Sequence, residues 1–307
     1  MISKNKLKEL SVYKQQKHCE ADAVFVVEGV KMCGEALAAK APIKVVCATN
    51  LWLSQHPELP KYAEIHEVED VALARLSHMP TPNEVWMLLD RQLPPAPRSD
   101  HGLTLALDHL QDPGNLGTII RTADWFGVRR IVCSNGTVSC FNPKVVQSTM
   151  GSLFRTEVLY ADLPSYLASC GLPVVGALLD GQNLWGSPSP LPSLSSGSVL
   201  VVGNEGRGLT PQVRECVTHP VTIPNLGGTA ESLNAAVACA ILMAQMLQNP
   251  NAATPRLRPR RCYSYLKSEK QSHWRINSLT FFHVQNRSVP KTPVQRSFYI
   301  ESILKER

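Results

Sequence analysis

The chain has 307 residues, 44% of them hydrophobic and 18% charged. That composition supports more core than one small domain needs and excludes wholesale disorder, and no uninterrupted apolar run of about 18 residues is present to cross a bilayer. The formal charge of +6 points toward a polyanionic partner but is unevenly placed: residues 256–307 hold twelve Lys and Arg against three acids, leaving 19 basic and 22 acidic groups in residues 1–255.

The first ten residues are lysine-rich without an apolar stretch, and no Arg precedes Arg75. That pattern predicts neither a secretory signal nor an Arg-rich transit peptide. Nine cysteines spread along the chain without a C-x-x-C pair predict neither a disulfide framework nor a metal centre, and a reducing cytoplasm is expected. Residues 1–93 alternate apolar runs (Val24–Val27, Ile43–Ala48, Val85–Leu89) with a helical pattern near Gly29–Ala39, which predicts a small α/β domain. The stretch 94–102, rich in proline and polar residues, reads as a linker.

A second alternation fills 103–250, with predicted strands at Leu103–Leu107, Arg130–Cys133, Val174–Leu179 and Ser198–Val202. Helical patterns between most of them predict a parallel sheet covered on both faces. Leu233–Leu247 is apolar nearly all round, which predicts a helix buried in a core or at a subunit interface. Composition then changes abruptly, and 251–307 reads as a basic tail.

Loops beyond the carboxyl ends of parallel strands carry ligands, and three of them are unusual here. Asp112-Pro113-Gly114-Asn115-Leu116-Gly117 opens a helix with Asn115 placed to cap it and Arg121 turned about 140° from the buried stripe. Gly203-Asn204-Glu205-Gly206-Arg207-Gly208 follows what counts as the fourth strand of its domain. Its G-x-x-G-x-G order matches neither the dinucleotide fingerprint nor a P-loop, and a bare turn gives Glu205 no purpose. The third loop runs from Ile223 to Asn234. Ser232 or Glu231 could cap the following helix, but Asn234, an amide in its first turn, needs a polar partner.

In this order the three segments resemble the motifs of the SpoU (TrmH-type) RNA 2′-O-ribose methyltransferases of the SPOUT class. The resemblance covers residues 1–250, with one extra residue between Ile223 and Ser232 and no counterpart for the basic tail. It implies a knotted (trefoil) parallel-sheet α/β methyltransferase domain preceded by a small α/β substrate-binding domain, and a homodimer. It also implies S-adenosyl-L-methionine as methyl donor, no metal, no membrane, and a ribosomal or transfer RNA substrate. Carried over by motif position, Arg121, Asn115, Glu205, Ser232 and Asn234 are the expected catalytic set, and Gly203, Gly206, Gly208, Ile223 and Leu233 the expected cofactor-binding set.

Two other classes compete with that reading. One is an RNA-binding protein of the same fold without catalysis, which would have no need of the five polar residues. The other is a nicotinamide oxidoreductase, against which the order and place of the glycines argue. The tail, where Tyr263, Tyr265, Trp274, Phe281, Phe282, Phe298 and Tyr299 lie among twelve cations, reads either as an RNA-contacting arm or, by its abrupt onset and lack of period, as a disordered appendage. The second reading is the expectation for 251–307.

Overall fold

The computed structural model describes residues 2–93, 102–194 and 197–248. All of the predicted linker except Gly102, and the whole predicted tail 251–307, lie outside the described residues.

The first part carries strands β1 (Val24–Glu28), β2 (Ile43–Ala48), β3 (Glu64–Glu67) and β4 (Val85–Asp90) in the order β1-β4-β2-β3. β4 runs antiparallel to both of its neighbours and β3 parallel to β2. Helices α1 (Lys4–Ser11), α2 (Gln16–Ala21), α3 (Val30–Ala38), α4 (Asn50–Gln55) and α5 (Asp70–Leu76) complete it. β1 and β4 are buried almost throughout, as their unbroken apolar runs predict, whereas β3 is a mostly exposed edge strand whose Glu-Ile-His-Glu sequence carries no such signal.

The second part is a six-stranded sheet built from β5 (Leu103–Leu107), β6 (Arg130–Ser134), β7 (Glu157–Ala161), β8 (Val174–Asn183), β9 (Ser198–Val202) and β10 (His219–Thr222). All pairings are parallel, in the order β10-β8-β9-β5-β6-β7. Helices α6 (Pro113–Phe126), α7 (Pro143–Thr149), α8 (Leu163–Ser169), α9 (Pro211–Glu215) and α10 (Ala235–Gln248) belong to it. The sequence reading missed the two edge strands. β7 does carry an apolar run, 158–161, which went unread, and its side chains are only partly buried at the sheet edge; β10 is a four-residue strand containing Pro220 and shows no such run. Ser198–Val202 is therefore the fifth strand of its sheet rather than the fourth.

From β5 the chain builds outward through β6 and β7, then returns to place β8, β9 and β10 on the other side. The reversal falls between β5 and β9, and in open parallel sheets the crevice at such a reversal is where ligands sit. Among the described residues no helix is long and apolar enough to cross a membrane.

The two parts of the chain share one continuous apolar core, with Phe25 and Met87 from the first sheet and, from the second part, Val146 on α7 and Leu153 and Phe154 in the turn that follows it. Across the seam the rings of Phe25 and Phe141 lie 4.8 Å apart, and the Arg91 guanidinium sits 5.2 Å from the Phe141 centroid. Polar ties reinforce it. Gln147 donates to the Glu28 carbonyl at 3.0 Å, and Arg155 bridges Glu35 on α3 to the buried Asp124 on α6. α6 and α7 meet closely at Gly117, where a β-carbon would fall 2.3 Å from the Ser148 β-carbon and 2.9 Å from the Val145 carbonyl oxygen.

Burial by itself would raise the Asp124 carboxyl, but Arg155, Arg129 and Ser152 outweigh it and hold the group below the usual aspartate range. Its stabilising effect is thus complete above the ordinary aspartate pKa and fades as the pH falls through the lowered one. Chemical denaturation should show Asp124→Asn less stable than wild type by about 1–3 kcal/mol at neutral pH, with the gap closing in acid. Gly117→Ala should lower stability by about 1–3 kcal/mol through overpacking, read as a fall in denaturation midpoint at unchanged slope.

Candidate active site

Three loops leave the carboxyl edge of the larger sheet: 108–112 between β5 and α6 and 203–210 between β9 and α9 at the chain reversal, and 223–234 between β10 and α10 from the edge strand. In the first, Asp112 rather than Asn115 is the helix cap. Its side chain accepts from the Asn115 amide N–H at 2.7 Å, and Pro113 takes the first helical position, where no N–H is needed. Asn115 sits three residues into α6, with its side-chain amide free to face the crevice.

The second loop is a tight turn closed by a short antiparallel bridge between Asn204 and Gly208, with N···O distances of 3.0 and 2.9 Å. The Asn204 side-chain oxygen accepts from the Gly206 and Arg207 amides. A β-carbon on Gly203 would fall 2.3 Å from the Gly208 carbonyl carbon, and Gly208 adopts φ +69°, so the turn closes only with glycine at both ends. Glu205 lies at its tip.

In the third loop Asn225 accepts from the Gly227 and Gly228 amides and donates to the carbonyls of Gly228 and Ala230. α10 begins at Ala235, two residues after the predicted start. Asn234 therefore lies not within its first turn but just ahead of it, exposed, with its side-chain oxygen accepting from the Ala236 and Val237 amides at 2.9 and 3.3 Å. Asn234 is the cap, and Ser232 and Glu231 stay exposed upstream. The physical reason is economy of donors: the amide that caps with its oxygen keeps two N–H groups for another partner.

That partner is Asn115. The Asn234 side-chain N–H donates to the Asn115 oxygen at 2.9 Å, and the Asn115 N–H donates to a Glu205 carboxylate oxygen at 2.7 Å. Asn115 from the first turn of α6 and one residue from each of the other two loops thus form a chain of donors that runs from the N-terminus of α10 to a carboxylate. A carboxylate only accepts, so Glu205 dictates which way both amides face. The bonds all point the same way and polarise one another.

Beneath the turn, Asp108 is 1% exposed and accepts from the Thr210 amide at 2.7 Å and from His109 Nδ1 at 2.8 Å. The Asn204 amide donates to the His109 carbonyl at 2.9 Å, so the first loop grips both ends of the second. Asp108, Asn204 and Asn225 escaped the sequence reading. The available signal was a short polar side chain at a strand end or ahead of a glycine, where Asp and Asn bond the backbone one or two residues on.

The structure brings Asn115, Glu205 and Asn234 together and places Gly203, Gly206 and Gly208 in the turn that carries Glu205. Ile223 is half-buried where the third loop begins, and Leu233 is exposed at its end. Arg121 is not in the hydrogen-bonded chain. It lies six residues beyond Asn115, about 9 Å along the α6 axis, exposed and without a hydrogen bond or ion pair among the described residues. Ser232 is likewise outside the chain.

Residues 102–244 match the model of the SpoU rRNA methylase family, and residues 4–86 that of the MRM3-like substrate binding domain. The chain is 34% identical over 223 residues to the 23S rRNA (guanosine(2553)-2′-O)-methyltransferase RlmP of Bacillus subtilis, a match covering 71% of this chain and 86% of that one. Among solved structures it resembles a Porphyromonas gingivalis protein described as a TrmH-family RNA methyltransferase, with 39% identity and a TM-score of 0.71 over 80% of this chain and 98% of the other. It also resembles the AdoMet-bound rRNA methyltransferase of Sinorhizobium meliloti, with 27% identity and a TM-score of 0.69 over 80% of this chain and 95% of the other.

Asn115→Asp would set a second carboxyl against Glu205 at the 2.7 Å contact. Like charges raise the pKa of such a pair, so the penalty is weakest where a proton is shared and grows as the pH rises. Thermal denaturation should show the variant near wild type at about pH 5 and destabilised by about 1–2 kcal/mol at about pH 8.

Proposed function

The chain belongs to the SpoU rRNA methylase family, and from that premise we propose that it transfers the methyl group of S-adenosylmethionine to a ribose 2′-hydroxyl of ribosomal or transfer RNA. The observation that carries the reading is the Asn234–Asn115–Glu205 chain, which ties the three loops into one rigid rim beside the sheet's reversal. A non-catalytic RNA binder has no use for a carboxylate held in this way.

The residues fit the cofactor. Gly203, Gly206 and Gly208 present backbone at the rim, and Ile223 and Leu233 add apolar surface beside it, a combination suited to an adenosine and a thioether chain. When bound, S-adenosylmethionine supplies an electrophilic methyl on a sulfonium. Asn115 and Asn234 hold the rim, and Ser232 borders the methionine end. Arg121, exposed and without a partner among the described residues, is placed to engage the phosphate of the target nucleotide and to stabilise the oxyanion that develops at the 2′-oxygen. A guanidinium lacks an acceptor atom, so the proton passes to Glu205 or to solvent rather than to Arg121. Residues that hold the ribose against the bound cofactor would supply much of the rate by fixing the 2′-oxygen in line with the methyl.

The remaining assignments belong to the same proposal. Residues 1–93 recognise RNA and 103–250 carry out transfer, with the chain around 203–234 threaded as a trefoil knot. Two copies pair through α6 and α10, a pairing supported by the apolar side chains left exposed on and beside them: Leu226 ahead of α10, Val237 on it, and Trp125 at the far end of α6. The working compartment is the reducing cytoplasm, as the free cysteines favour; burial pushes the Cys239 thiol up to about 12.

With RNA from cells lacking the protein, Arg121→Ala should reduce methyl transfer at least about 100-fold, and calorimetry should show S-adenosylmethionine binding unchanged. Full turnover in Arg121→Lys would contradict the planar, two-pronged phosphate contact. Sedimentation at micromolar concentration should give a dimer, and a monomer would contradict the pairing.

A further inference from the structure

A cavity of about 490 Å³ opens at the seam between the two sheets, away from the hydrogen-bonded chain. One wall comes from the first part of the protein, with Tyr13, Lys14 and Gln16 ahead of and on α2 and the segment His78–Pro80. The other comes from the second part, with Phe141, Asn142 and Lys144 at the start of α7. Neither part forms this cleft alone. α7 follows β6 as α6 follows β5, so both helices start from the carboxyl edge of the same parallel sheet. The cleft therefore lies by the start of α7, on the same edge of the sheet from which α6 and its Asn115 also start.

Its chemistry is selective. Tyr13, Phe141, Pro80 and Pro143 give flat apolar surfaces, and Phe141 is fixed from behind by Phe25 and Arg91. Gln16, Asn142 and Gln147 line it with amides that already hold one another and the wall: Asn142 donates to the Gln16 side-chain oxygen at 3.3 Å, Gln16 donates to Glu20, and Gln147 donates to the Glu28 carbonyl, which leaves a second N–H or lone pair on these groups for a ligand. Lys14 and Lys144 stand exposed at the rim, and neither has an ion-pair partner among the described residues. The one carboxylate in the lining is Glu28, 5% exposed and already held by the Ser77 hydroxyl, the His78 amide and the His78 ring. Burial raises that carboxyl, but these bonds outweigh it and hold it below the usual glutamate range, so it stays ionised with its charge engaged inside the wall. Neither lysine forms an ion pair with it among the described residues, and the nearby Asp22 and Glu20 are engaged by Tyr13 and Gln16.

Flat rings and prolines, amides with both donor and acceptor atoms, and lysines at the mouth are what an unpaired nucleotide requires: stacking for the base, hydrogen bonds for its edge and cations for its phosphates. We propose that this junction cleft receives an unpaired nucleotide of the substrate RNA near the methylated one, so that recognition depends on both parts of the chain being docked together. This inference rests on the RNA methyltransferase reading.

The test uses the full chain, ribosomal and transfer RNA from cells lacking the protein, and the doubly substituted Lys14→Glu, Lys144→Glu variant. Both lysines are exposed, so the fold should be unaffected, and unchanged melting and S-adenosylmethionine affinity confirm that. The expected result is a rise of about tenfold in KM for RNA with kcat within about twofold, and a salt dependence of RNA binding shallower by about one to two phosphate contacts. In a second arm the same RNA carries 4-thiouridine and is irradiated on the wild-type protein; crosslinks should map to Tyr13, His78, Met79 or Phe141. An unchanged KM and salt slope, or crosslinks confined to other surfaces, would overturn the proposal. If the wild-type protein methylates no RNA, the underlying reading fails instead, and the two failures are distinguishable.

Discussion

The site depends on one directional constraint, the orientation that Glu205 imposes on two asparagine amides. A carboxylate can only accept, so Asn115 must turn its N–H toward Glu205 and offer its oxygen to Asn234. Asn234 in turn must spend its own oxygen on the first amides of α10. Each link leaves the next a single orientation. The loops being joined follow β5, β9 and β10, so the chain of amides converts three independent loop ends into one surface at the sheet's reversal point.

The scaffold serves that constraint from two directions. From below, Asp108 and the His109 carbonyl hold the two ends of the Glu205 turn, and the close passage of Gly203 past Gly208 keeps it narrow. From the side, α6 carries Asn115 at one end and Asp124 near the other, and Asp124 reaches through Arg155 to Glu35 in the first part of the chain. The helix that presents Asn115 is therefore also the one anchored to the neighbouring sheet. A recognition event at the seam can bear directly on the placement of the site.

The parallel sheet was legible because its central strands are continuous apolar runs, and Leu103–Leu107 and Ser198–Val202 matched their predicted bounds. β3 was not legible, since an exposed edge strand needs no apolar run, and β10 is too short and carries Pro220; β7 has the four-residue run 158–161, too short a signal by itself to separate an edge strand from a helix segment. At the site, residue identity was easier to read than role. Asn115 and Asn234 were both singled out, yet the caps were misplaced: Asp112 takes the position expected of Asn115, and Asn234 that expected of Ser232 or Glu231. A local pattern shows which side chains can cap a helix. It does not show which of them has a partner 119 residues away. Asp108 was invisible for the same reason, because a buried carboxylate at a strand end announces no partner until the Thr210 amide is brought to it.

The central claim is that the Asn234–Asn115–Glu205 chain organises a site for methyl transfer to a ribose. Labelled S-adenosylmethionine, RNA from cells lacking the protein and nucleoside mapping of the product test it most directly, with wild type and Asn115→Ala side by side. The account predicts label on a ribose 2′-oxygen for the wild-type protein and a loss of at least about tenfold for the variant. Label on a base, or undiminished transfer by Asn115→Ala, would contradict it.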